Sequence, residues 1–188
     1  LLLNMLSGQV YSEGQTISDE HQDFILSHTH CYGTDYSDQL KLSDYQGKVL
    51  WIEMSASWCG ACYDEIPQVD AIAWQWFEND NVSFFVSLSD LGMPWSCDQW
   101  GDRGYNNIPN IFNAGSSASD SLFVWFNTGG NYPSFVFIDH EMTVRHMSND
   151  FEHANDWIEE MLGNLDVKDD EVRLPAALSL HGNYPNPF

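Results

Sequence analysis

Residues 47–67 read "GKVLWIEMSASWCGACYDEIP". The first part, an apolar run behind Gly47, has the pattern of a strand buried on both faces. The second part sets Cys59 and Cys62 three apart behind Trp58. Beyond them Ile66, Val69, Ile72, Ala73, Trp76 and Phe77 recur at helical spacing, with Pro67 expected to kink or restart the helix. Two cysteines so spaced can bind a metal, form a structural staple, or cycle between dithiol and disulfide. Where a strand runs into a helix, unpaired backbone N–H groups and the helix dipole favour a thiolate on the first cysteine. The thiolate is the attacking form, so Cys59 is the expected nucleophile. Cys62, one turn inside the helix, is the expected resolving sulfur.

The rest of the chain supplies the frame. "HQDFILSHTHC" (21–31) holds a short strand, and "NVSFFVSLSD" (81–90) reads as a second buried one. "MPWSCDQWGDRG" (93–104) reads as a short helix closed by Gly104. "SASDSLFVWFNTGG" (117–130) reads as a helix begun by a capping Ser or Asp and stopped by paired glycines. "PSFVFIDHEMTVRHM" (133–147) predicts a hairpin about a "DHEM" turn. "DFEHANDWIEEMLGNL" (150–165) predicts an amphipathic last helix with Asp150 as its N-cap. Strands interleaved with helices, plus a hairpin, argue for an α/β fold with a mixed sheet under helical cover.

Composition bounds the partners. The 188 residues hold 28 acidic and six basic side chains, a net charge of -22. Such a surface repels phosphate backbones and anionic headgroups, which argues against nucleic-acid and peripheral membrane binding. It fits solubility, or a site for a cationic partner. No stretch approaches the roughly 20 apolar residues of a membrane-spanning helix. A zinc site wants about four ligands, usually with a second close pair. Cys31, Cys97, His28 and His30 supply no second Cys-x-x-Cys, and the two histidines are expected to be ordinary polar residues along a strand.

On these residues the chain resembles the thioredoxin superfamily over about 20–165. "SWCGAC" is similar to the family's Trp-Cys-x-x-Cys motif, and "NYPSFVFIDHEMTV" to the later segment in which a cis-proline opens a strand facing the active site. The resemblance implies a cis Tyr132–Pro133 peptide, with Pro133 against the cysteine pair and Trp58 and Tyr132 shaping a substrate groove. "WCGACYDEIP" looks most like the secreted and periplasmic thioredoxin-like reductases, whose pattern WCxxCxxExP places Glu65 and Pro67 here. That implies a proton-handling role for Glu65. Glu53 stands six residues before Cys59, where thioredoxins carry a buried acid that helps deprotonate the resolving cysteine. Burial there should raise its pKa. Departures from the family are informative too. Gly-Ala between the cysteines leaves the direction of electron flow unreadable. Tyr132 replaces the usual Thr or Val before the proline. Ala56 stands where a peroxiredoxin would want Thr or Ser, which disfavours peroxidase activity.

The ends carry an address. "LLLNMLSGQVYSEGQ" (1–15) fits the remnant of a secretory signal peptide or an arbitrary chain edge. "LSLHGNYPNPF" (178–188) resembles the opening of a C-terminal sorting domain of type IX secretion. The expected organisation is a lead-in over 1–19, a thioredoxin-like domain over 20–165, and a linker with the start of a sorting domain over 166–188. For an exported protein, Cys31 and Cys97 are expected to form a structural disulfide; two free buried thiols are the alternative. The sequence thus predicts an exported thiol–disulfide oxidoreductase acting on protein thiols and disulfides with an unidentified redox partner. It is expected to be monomeric, with no cofactor, bound metal, nucleic acid or membrane insertion. A non-catalytic surface module with a structural disulfide and a metal-binding module remain as rivals.

Overall fold

The computed structural model describes residues 11–33, 39–107, 110–126 and 130–172. Six strands form one mixed sheet: β1 (Thr29–Tyr32), β2 (Val49–Ala56), β3 (Val82–Ser89), β4 (Asn110–Gly115), β5 (Ser134–Ile138) and β6 (Val144–Ser148), in the order β1-β4-β3-β2-β5-β6. The centre, β2-β3-β4, is parallel, while β5 pairs antiparallel with β2 and β6 with β5. A short helix, α1 (Asp19–Gln22), precedes the sheet, and the whole is the thioredoxin-like α/β architecture.

Every residue of β2 is buried because both faces of the sheet are covered. On one face Val49, Trp51, Phe135 and Phe137 pack under α2 (Gly60–Trp76) and α5 (Ala154–Val172), through Val69, Ala73, Ala154, Ile158 and Met161. On the other, Leu50, Ile52, Met54, Val136 and Ile138 meet Leu122, Trp125 and Phe126 of α4 (Ser121–Phe126). The alternation along each strand is the period-two pleat.

Several expectations change. Helix α2 does not restart at Pro67 but runs on through it, and the carbonyl one turn back loses the N–H that another residue would offer. Asp150 does not cap the last helix. Its carboxylate accepts from the Glu152 amide at 3.2 Å, in a turn ahead of the helical start at Ala154. The start of α4 is as expected, with Asp120 accepting from the amides of Leu122 (3.0 Å) and Phe123 (3.3 Å). Strand β4 is absent from the sequence reading. Asn110, Asn113 and Gly115 look like turn residues, and the segment gains its strand character from pairing with β3 on one side and β1 on the other.

The expected lead-in contributes to the core. Tyr11 and Ile17 are buried against the α4 face, and Tyr11 donates its amide to the Trp125 carbonyl at 2.8 Å. The signal-peptide reading of residues 1–10 and the sorting-domain reading of 178–188 lie outside the described residues. No described helix is long and apolar enough to cross a membrane.

Candidate active site

The buried strand β2 delivers the chain to the cysteine pair at the start of α2. Cys59 is the N-cap: its amide donates to the Ala56 carbonyl at 2.8 Å, and its Sγ accepts from the Cys62 amide at 3.2 Å. The two sulfurs are bonded, with S–S 2.03 Å and Cα–Cα 5.3 Å. Cys59 keeps 7% of its surface and Cys62 only 1%, so an incoming sulfur meets Cys59 first.

Around the pair stands a wall of aromatic side chains. Trp58 is 51% exposed, and its ring meets Tyr132 edge-on at 5.5 Å. Tyr132 stacks on Phe123 at 4.1 Å and packs against the cluster holding both cysteines. The Tyr132–Pro133 peptide is cis, as is Met93–Pro94 in the loop after β3. Tyr63, in the first turn of α2, stacks on Trp95 at 4.0 Å and meets Trp100 edge-on at 5.6 Å.

Glu53 lies on β2, 3% exposed, facing the α2 side of the sheet. With Ile66, Val69, Phe84, Val86 and Trp100 it lines a cavity of about 10 Å³, room for roughly one water. Burial pushes its pKa up to about 7, the Ser55 hydroxyl donating at 2.5 Å pulls it back, and the negative Glu65 adds to the rise. Glu65 is itself raised, first by burial and then by the Asp150 carboxylate. Two carboxyls of raised pKa thus flank Cys59 in sequence, Glu53 on β2 and Glu65 on α2.

Cys31 and Cys97 are also bonded, S–S 1.97 Å, joining edge strand β1 to α3 (Cys97–Gly101). The bridge holds α3, and with it Trp100, beside the cysteine pair. Among the described residues no group of three or more His, Cys, Asp or Glu is placed to hold a metal ion.

Sequence reasoning missed the polar groups that fix this site. Ser57 accepts from the Met93 amide and donates to the Trp95 carbonyl, both at 2.9 Å, pinning the loop after β3. Asn149 donates to the Pro133 carbonyl at 2.7 Å. His28, expected as an ordinary polar residue along a strand, precedes β1 and is 2% exposed, with Nε2 2.9 Å from Ser87 Oγ and 3.3 Å from Asp120 Oδ1. None of these has a motif; each is visible only after the sheet brings distant segments together.

A mixed sheet that runs into a helix-capping Cys-x-x-Cys, with a proline-started strand beside it, defines the class of thioredoxin-like thiol–disulfide oxidoreductases. Residues 17–147 match the AhpC/TSA family, and the chain belongs to it. Solved structures share the fold. A protein assigned provisionally as a protein disulfide isomerase, from Bacteroides thetaiotaomicron, is 21% identical, with TM-score 0.64 over 86% of this chain and 97% of that one. A secreted Mycobacterium tuberculosis disulfide oxidoreductase homologous to E. coli DsbE is 20% identical, with TM-score 0.53 over 80% and 99%. A thioredoxin-family thiol:disulfide interchange protein from Chlorobium tepidum is 14% identical, with TM-score 0.54 over 74% and 98%. No curated protein matches the chain.

Proposed function

We propose that the protein is an exported enzyme that exchanges disulfides with protein substrates through Cys59 and Cys62. The observation that carries this reading is the asymmetry of the pair at the helix start. The outer sulfur receives the Cys62 amide and the positive end of a 17-residue helix, while the inner sulfur is closed off.

In the reducing direction the Cys59 thiolate attacks one sulfur of a substrate disulfide. A mixed disulfide forms and the other substrate sulfur leaves as thiolate. Cys62 then loses its proton and attacks Cys59; the mixed disulfide breaks, and the substrate leaves with two thiols while the enzyme keeps the disulfide. Glu53 is the acceptor for the Cys62 proton, because a carboxyl titrating near 7 is half-ready to take and return one at neutral pH. Glu65, on the helix that carries Cys62, modulates Glu53 through its charge. Trp58, Tyr132 and Pro133 line the groove for an extended substrate segment. Oxidation of a substrate dithiol is the same sequence reversed.

Export is supported by the Cys31–Cys97 bridge, since a partly buried structural disulfide suits an oxidising compartment. Reduction of insulin disulfides by the thiol-recharged protein tests the activity. Turnover that disappears in Cys59→Ser supports the assignment. Full turnover in that variant, or none in the native protein, hands the case to a binding module with a structural disulfide.

A further inference from the structure

Trp58, already placed in the substrate groove, also holds Asp90, a residue the exchange reaction leaves unused. Asp90 directly follows β3 with φ 55°, a conformation uncommon outside glycine. It is fixed there on three sides. Its amide donates to the Gly115 carbonyl at 2.7 Å, Oδ1 accepts from the Ser117 amide at 3.1 Å, and Oδ2 accepts from Trp58 Nε1 at 2.8 Å. Burial acts to raise its pKa, yet the hydrogen bonds from Ser117 and Trp58 outweigh it, and the carboxyl is held below its ordinary value. It is therefore a fixed anion at neutral pH. Among the described residues it has no cationic partner.

The indole it holds is half-exposed, beside the attackable sulfur, with Tyr132 against its edge. Across the pinned loop Met93 is 60% exposed. The field is negative here: the Tyr132 hydroxyl is pushed up by burial first, and by the carboxylates of Asp120 and Asp90. An exposed tryptophan face beside an unpaired carboxylate matches the extended apolar stem and charged head of a Lys or Arg side chain.

We propose that Trp58 and Asp90 form a subsite for a Lys or Arg lying beside the reactive cysteine of the substrate. This rests on the disulfide-exchange reading of Cys59 and gives it a substrate class: cysteine segments with a neighbouring cation. The net charge of -22 would assist encounter with such partners.

The test uses the pre-reduced protein and three peptides, identical except for Lys, Gln or Glu beside a single Cys that carries a small neutral thiol in disulfide linkage. Attack by Cys59 on the peptide sulfur releases the small thiol, and Cys62 then releases the peptide. The native protein should react with the Lys peptide about tenfold faster than with the Gln peptide, and slowest with Glu, the spread shrinking at high salt. Asp90→Asn should reduce the Lys-to-Gln ratio to about twofold, and Trp58→Leu should lower it independently. Asp80→Asn removes the same charge at the opposite end of β3 and should leave the ratio intact. Equal rates for Lys and Gln peptides would overturn the subsite. So would an equal loss of ratio in Asp80→Asn, which would assign it to net charge, or a parallel loss for all three peptides in Asp90→Asn, which would make Asp90 a support for Trp58. No reaction with any peptide would overturn the exchange reading itself.

Discussion

The side-chain amide of Asn149, on the loop after β6, donates to the main-chain carbonyl of Pro133 at 2.7 Å. It ties the start of β5 to a loop sixteen residues away, so the segment beside the cysteine pair is held from outside the sheet. Asn149→Ala should therefore slow disulfide exchange more than it weakens the fold. We expect about a tenfold loss in kcat/KM on insulin and a stability loss of about 1 kcal/mol, the worth of one hydrogen bond. Parallel turnover assays and urea unfolding check it; a large stability loss with unchanged turnover would contradict the positioning role.

Glu53 makes stability fall as pH rises. The unfolded chain ionises it near 4.5 and the folded one near 7, so folding favours the neutral form. That contribution is complete below about pH 4.5 and is lost as pH climbs through about 7. Gln at this position cannot ionise. The stability of Glu53→Gln relative to the native protein should therefore grow by about 3 kcal/mol between pH 4.5 and alkaline pH, as read by urea denaturation across the range. Its exchange rate should meanwhile lose the rise near neutrality.

Cys31 and Cys97 close a loop with a sequence separation of 66. Replacing both with Ser should cost about 4 kcal/mol by the chain-entropy argument. Because the bridge fixes α3 beside the cysteine pair, the fluorescence of Trp95 and Trp100 should report loosening at lower urea than global unfolding. Coincident transitions would show α3 held without the bridge.

Asp120 is fully buried and accepts from Ser87 Oγ at 2.9 Å, Ser89 Oγ at 3.3 Å and two amides at the start of α4. Asp120→Ala strands those donors and His28 together, and should cost about 3 kcal/mol in a urea unfolding experiment. Asp120→Asn keeps acceptor capacity and should cost less.

What the sequence discloses follows from range. The central strand, the helix behind Cys59 and the hairpin are written in residues that lie side by side, so apolar periodicity finds them. The cysteine pair and Tyr132–Pro133 carry motifs, and the acid in "LWIEM" announces itself by its setting. Strand β4 stays hidden because Asn110, Asn113 and Gly115 mimic a turn until both neighbours bind it. The lead-in looks polar, yet Tyr11 and Ile17 pair their few apolar groups with α4 across more than a hundred residues. Ser57, Asp90 and Asn149 are invisible for the same reason: their partners are chosen by the sheet, not by spacing.

The most direct test of the account is a redox titration of the native protein against a thiol/disulfide buffer, with alkylation and mass spectrometry counting each pair. A reversible two-electron transition confined to Cys59 and Cys62, with Cys31–Cys97 staying bonded, is the predicted result. A midpoint near the roughly -270 mV of thioredoxin would mark a reductase and one near about -120 mV an oxidant. A Cys59–Cys62 pair that stays oxidised across the whole range, or that never oxidises, would contradict the account.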